Sequence, residues 1–169
     1  AAIEMLKNSL GKFADDDPFL SFLAQYHRQM GELSKARQYA VLRTINNPLA
    51  IPPKVQLMYI LHESGENTRL RKEINTIFRQ FDFETDPVPL RALAQFAMET
   101  SNVDLMGRIY EIGVEKENPT GDFALLLIES HIAAGQFEEA LSFCKEIFQE
   151  KPAWLERRMG EFNSLRAIA

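Results

Sequence analysis

Apolar side chains along the chain recur three and four residues apart, the spacing that lines one face of an α-helix. No stretch alternates apolar and polar residues with the period of a strand, so no sheet is predicted. Helices are predicted over 1–14, 19–30, 34–45, 54–63, 68–81, 88–100, 103–116, 122–134, 137–149 and 153–168, about ten in all. Their inward stripes are readable. Leu20, Leu23, Ala24 and His27 face Ala36, Tyr39, Ala40 and Arg43. Leu57, Met58 and Leu61 face Leu70, Ile74 and Ile77. Leu90, Leu93, Ala94 and Ala97 face Met106, Ile109 and Tyr110, and Ala124, Leu127, Ile128 and His131 face Ala140, Phe143, Cys144 and Ile147. Trp154, Leu155, Met159, Phe162 and Leu165 supply a last apolar stripe.

The polar interruptions are as regular as the stripes. Met30-Gly31-Glu32-Leu33-Ser34-Lys35-Ala36 and Ala134-Gly135-Gln136-Phe137-Glu138-Glu139-Ala140 each read as helix end, tight turn and helix start. Glycine closes such a turn because it takes the left-handed conformation at little cost. Gly65 and Ser101 hold the same place in weaker copies, and the positions 31, 65, 101 and 135 are spaced by 34, 36 and 34 residues. A fixed period of that size marks an array of helical hairpins. Asn47-Pro48 and Lys151-Pro152 close the first and last pairs. Asp17-Pro18 is predicted to open a helix with Asp17 as N-cap, and Asp86-Pro87 repeats that chemistry. The run Asp15-Asp16-Asp17 is read as capping and solubility, since a calcium loop needs more oxygen ligands in a defined series. The irregular connection 81–89 accounts for the longer spacing and is expected to bend the array rather than to divide it into domains.

Composition narrows the function classes. With 169 residues, 46% hydrophobic and 25% charged, the chain can bury a sizeable core. Net charge is −5, which argues against nucleic acid as the main partner, because phosphate binding rests on Lys and Arg. The half up to Glu84 carries +1 and the rest −6. No apolar run is long enough to span a bilayer, so no membrane insertion is expected. The chain begins with Ala1, so either a leader was removed or it is part of something longer; a cytoplasmic site is favoured over a periplasmic one. The one cysteine, Cys144, forms no disulfide framework or zinc spacing and is expected to be a small buried hydrophobe. His27 and His131 share a repeat position and are read as packing residues. No phosphate loop, nucleophile elbow, metal-ligand spacing or catalytic constellation is present in the sequence, so no enzyme, cofactor or metal is predicted.

The aligned hairpins, 17–50, 51–84, 87–120 and 121–154, resemble the tetratricopeptide repeat family. The first supplies Ala24, Gly31, Ala36, Ala40 and Pro48 at the family's characteristic places, and the fourth supplies Ile128, Gly135, Ala140, Cys144 and Pro152. The second keeps Gly65 with Met58, Leu70, Ile74 and Asp82, and the third has Ala94, Ser101, Met106, Tyr110 and Asn118, with Pro119 one place late. The middle repeats are degenerate, because Leu70 and Met106 stand where alanine would let the helices close up. The resemblance implies an all-α, right-handed α-solenoid of antiparallel helix pairs, a single domain in which 1–16 is half of a truncated repeat and 153–169 a cap.

The resemblance also implies a concave groove lined by the first helix of each pair. Mapped here, it offers Phe22, Gln25, Arg28 and Gln29, then Gln56, Tyr59 and His62, then Arg91, Gln95 and Met98, and finally Leu125 and Glu129. Aromatic, glutamine and arginine side chains suit an extended peptide or a partner helix. The family's Lys/Asn clamp for a chaperone C-terminus is missing at these places, although Arg28 and Arg91 remain candidates to hold a carboxylate. Leu125, Leu126 and Ile132 are apolar for a groove. They are expected to lie under the last helix, with a homodimer surface as the alternative. The expected role is a non-catalytic protein- or peptide-binding scaffold, with an oligomerisation module or an accessory segment of a larger enzyme or regulatory protein as alternatives.

Overall fold

The computed structural model of the protein describes the backbone of residues 2–83, 86–115 and 120–169, and the side chains of 4–83, 86–113 and 120–169. The sequence readings that involve Ile3, Glu84, Thr85, Lys116, Asn118 and Pro119 lie outside the residues so described. Among the described residues the chain is all-helical, with no strand. Helices α1 (Ala2–Leu10), α2 (Asp17–Gln29), α3 (Leu33–Asn46), α4 (Ile51–Glu63) and α5 (Asn67–Gln80) come first. Then follow α6 (Val88–Glu99), α7 (Val103–Glu115), α8 (Asp122–Ala133), α9 (Phe137–Glu150) and α10 (Met159–Ile168). The chain divides into two compact units, Ala1–Asp82 and Phe83–Ala169. The division falls inside the irregular 81–89 connection.

The four turns are alike in detail. Gly31, Gly65, Ser101 and Gly135 all have positive φ, between 51° and 74°. After each, the next backbone N–H reaches back five residues: Glu32 to the His27 carbonyl, Glu66 to Leu61, Asn102 to Ala97 and Gln136 to His131, at 2.8–2.9 Å. This is the Schellman arrangement, which satisfies helix-end carbonyls and reverses the chain at once.

In the first unit, neighbouring helices in sequence pack in series, α2 on α3, α3 on α4 and α4 on α5. Leu20, Ala24, Ala36 and Ala40 are all fully buried, so alanine brings α2 and α3 close together. In the second unit α6, α7, α8 and α9 pack in the same serial way, and α10 lies on α8 and α9. Its core joins Leu125, Ile128, Cys144 and Ile147 to Trp154, Leu155 and Phe162, with Ile132 partly buried against them.

Four local expectations are corrected. Asp16, not Asp17, caps α2: its extended backbone lets Oδ1 accept from the Phe19 N–H at 2.9 Å. Asp17 sits in the first turn and its carboxylate goes to Arg43, at 2.9 and 2.7 Å. Helix α4 starts at Ile51, because Pro52 and Pro53 occupy the first turn, where no intrahelical N–H bond is required. The N-terminal helix stops at Leu10 and gives way to a 3-10 turn, Gly11–Phe13, since Gly11 takes positive φ. Residues 153–158 form turns, and α10 begins only at Met159. Trp154 there is driven down onto Gly121, where any Cβ would collide with the indole. Asp86 accepts from the Val88 N–H at 3.0 Å at the start of α6.

Candidate functional site

The first helix of each hairpin carries the candidate residues, and the two units treat them differently. In the first unit several are already engaged. Arg28 donates to both carboxylate oxygens of Glu63, from Nε at 2.9 Å and from Nη2 at 2.5 Å, and lies 5.2 Å from the Tyr59 ring centroid. Arg28 therefore holds a carboxylate, but one the chain itself supplies across α2 and α4. These Arg28 hydrogen bonds hold the Glu63 carboxyl below the usual range. Gln56 accepts from Arg43 at 2.6 Å and donates to the Ser21 carbonyl at 3.1 Å. With Asp17 on the far side of the buried Arg43, these contacts brace α2, α3 and α4 together. Gln25 is half-buried, while Phe22, Gln29 and His62 are exposed; Phe22 stacks on Tyr26 with centroids 6.2 Å apart.

In the second unit Arg91, Gln95 and Met98 are brought together in one cleft of about 790 Å³. Leu90, Ala94 and Met98 on α6, Ile112 on α7, and Phe123 and Leu126 on α8 form its apolar wall. Gly113 makes the wall possible. A Cβ at that place would sit 2.6 Å from Phe123 Cδ2, so only glycine lets the ring lie against α7. The polar groups are few. Gln95 Nε2 donates to Glu99 at 2.9 Å, and the buried Ser130 hydroxyl donates to Met98 Sδ at 3.0 Å. Thr120 donates to Asp122 at 2.7 Å, and Arg158 donates to the Thr120 carbonyl at 3.0 Å and to the Asp122 carboxylate. The Thr120 hydroxyl first, and then Arg158, hold the Asp122 carboxyl below its ordinary value. Arg91 is exposed; its backbone N–H donates to the Pro87 carbonyl at 3.1 Å, and the charge of its guanidinium also helps to hold the Asp122 carboxyl low. The cleft is thus apolar within, with Arg91, Glu99 and Asp122 among its lining residues.

Leu125 does not belong to this surface. It is only 3% exposed and packs beneath Trp154 and Phe162, because the C-terminal segment crosses α8 there. Glu129 is half-buried. Sequence reasoning missed Phe123 and Ile112, although Gly113 within a helical pattern is the kind of signal that marks a close approach.

The two histidines have partners the pattern did not reveal. His27 Nδ1–H donates to Glu32 at 2.5 Å, and His131 Nδ1–H donates to Gln136 at 2.9 Å, each across its own turn. His27 also stacks on Tyr39, with centroids 5.3 Å apart. Burial pushes the Cys144 thiol up, away from a reactive thiolate. Among the described residues no group of three or more His, Cys, Asp or Glu is placed to hold a metal, and no helix is long and apolar enough to cross a membrane.

No family model matches the chain, and no curated protein or solved structure matches it either.

Proposed function

We propose that this chain is a tetratricopeptide-like array of helical hairpins, stacked as a right-handed α-solenoid. It acts as a non-catalytic scaffold that binds a peptide or partner helix. Support for the array comes from four turns sharing one hydrogen-bond pattern at spacings of 34, 36 and 34 residues. Support for binding comes from one observation above the others: an apolar cleft of about 790 Å³ with the exposed Arg91 among its lining residues. A cleft of this size and character suits an apolar side chain or two. The guanidinium adds a fork for a carboxylate beside them.

A library of displayed peptides panned against the whole chain tests this reading. Peptides with apolar residues next to an Asp or Glu are expected to be enriched. They should lose about tenfold in affinity on Arg91→Ala, the size of a charge-assisted hydrogen bond. They should lose binding altogether on Ala94→Trp, which fills the cleft. Enriched peptides indifferent to both substitutions, or none at all, would sink the proposal.

A further inference from the structure

Ser130 on α8 is only 2% exposed, and its hydroxyl has one hydrogen-bond partner among the described residues, the Met98 sulfur at 3.0 Å. Other helical hydroxyls of this chain choose differently. Thr76, Thr100 and Ser164 each donate to the carbonyl four residues back, at 2.7–2.9 Å. Ser130 instead reaches across to α6 and gives its proton to a thioether, a weak acceptor. A buried hydroxyl so weakly paired calls for an explanation. Met98 itself is half-buried and lines the cleft of the second unit, whereas Ser130 does not line it, so anything entering the cleft meets the sulfur before the hydroxyl. A better acceptor for Ser130 therefore has to arise in place. Among the six methionines Met98 alone joins access to such a donor within the described residues. Met58 and Met106 are fully buried, and the exposed Met5 and Met30 and the half-buried Met159 have no hydroxyl on their sulfur.

We propose that Met98 is a site of reversible oxidation to the sulfoxide, that the Ser130 hydroxyl is the partner of the new oxygen, and that the change switches the cleft. A lone pair of Sδ attacks one oxygen of hydrogen peroxide or an organic hydroperoxide as the O–O bond breaks. Sulfur loses two electrons and the peroxide gains two. The other oxygen leaves as water or an alcohol, with the proton that the transferred oxygen sheds. Methionine's three rotatable bonds let the S–O group turn toward α8. A sulfoxide oxygen accepts more strongly than a thioether, so the fold holds the oxidised side chain instead of expelling it. Toward the cleft, a flexible apolar side chain becomes a fixed polar one, and an apolar occupant is held less well. A thiol-dependent sulfoxide reductase reverses the step: two thiols become a disulfide and the oxygen leaves as water. The oxidation chemistry is independent of the peptide-binding reading; its consequence for a peptide rests on that reading.

The test uses the whole chain with Met5, Met30 and Met159 replaced by Leu, which leaves Met98 as the accessible methionine; the native Cys144 is buried. Hydrogen peroxide is expected to add one oxygen atom, which peptide mass mapping places on Met98 while Met58 and Met106 stay reduced. Oxidation should lower Tm by about 2–4 °C more in Ser130→Ala than with Ser130 present, the size of one hydrogen bond in a chain of this length. The apolar anion 8-anilinonaphthalene-1-sulfonate probes the cleft, and the emission that Ala94→Trp abolishes is the part bound there. Oxidation should weaken that binding about fourfold, the worth of one buried methylene group. Methionine sulfoxide reductase with dithiothreitol should restore it. Met98 that reacts no faster than Met58 and Met106, equal Tm losses with and without Ser130, or dye binding that is absent from the reduced cleft or indifferent to oxidation would each overturn the proposal. Failure of the peptide panning while these results hold would sink the peptide-binding reading alone.

Discussion

Lys54 stands where the other hairpins carry Leu20, Leu90 and Ala124, and like them it is buried, at 4% exposure. It has no ion pair among the described residues, yet no fully buried side-chain nitrogen lacks a partner. The ammonium therefore reaches the surface on a stem packed in the core, as long cationic side chains do. That arrangement costs rotamer freedom. Lys54→Leu is expected to stabilise the chain by about 1 kcal/mol, the worth of the added apolar burial; urea denaturation of the two proteins measures it. A loss of stability would mean that Lys54 holds a partner in solution. At this scale most of the core was readable before any coordinates, because inward positions repeat at helical spacing. The side-chain pairings were not. Arg28 and Glu63 lie 35 residues apart, and whether they meet depends on the offset between hairpins, which residue types alone do not encode.

At the scale of elements, the turns were legible because glycine is tied to a backbone conformation rather than to a neighbour. The ends of the chain were less so. The start of α10 is delayed by the docking of Trp154 on Gly121, and that contact is made across 33 residues of sequence. The shared turn conformation makes a prediction with opposite signs at two equivalent positions. Gly135 has φ 73° with open space around its Cα, and Ser101 has φ 51° in the same motif. Gly135→Ala forces an L side chain into the left-handed region and is expected to cost about 1 kcal/mol. Ser101→Gly relieves the same strain and is expected to gain up to about 1 kcal/mol, less the entropy glycine adds to the unfolded chain. Thermal unfolding of the pair reads both. Equal signs would show that the third turn is not built like the fourth.

For the whole molecule, acid should act unevenly on the two units. In the first unit the carboxyls of Asp17, Glu32 and Glu63 are held low mainly by hydrogen bonds from Arg43, Lys35 and Arg28 respectively. Glu66 is lowered as well; burial opposes the shift, but the hydrogen bonds and charges of Arg37 and Arg69 outweigh it. In the second unit Asp122 alone is so held among the described residues. A carboxyl lowered in the folded state stabilises it at any pH above the unfolded value. That contribution is lost as the pH falls through the unfolded value toward the folded one, so the loss begins below about pH 4.5. Four such groups against one mean that the first unit loses more than the second. These groups are mostly exposed, which makes each loss small and salt-sensitive. The chain carries its own reporter, because its one tryptophan, Trp154, is buried in the second unit. On acidification at low salt, far-ultraviolet circular dichroism should fall before the Trp154 emission shifts, and added salt should narrow the gap. Emission that shifts first, or together with the loss of helix, would show that the two units do not respond separately to protonation of these carboxylates.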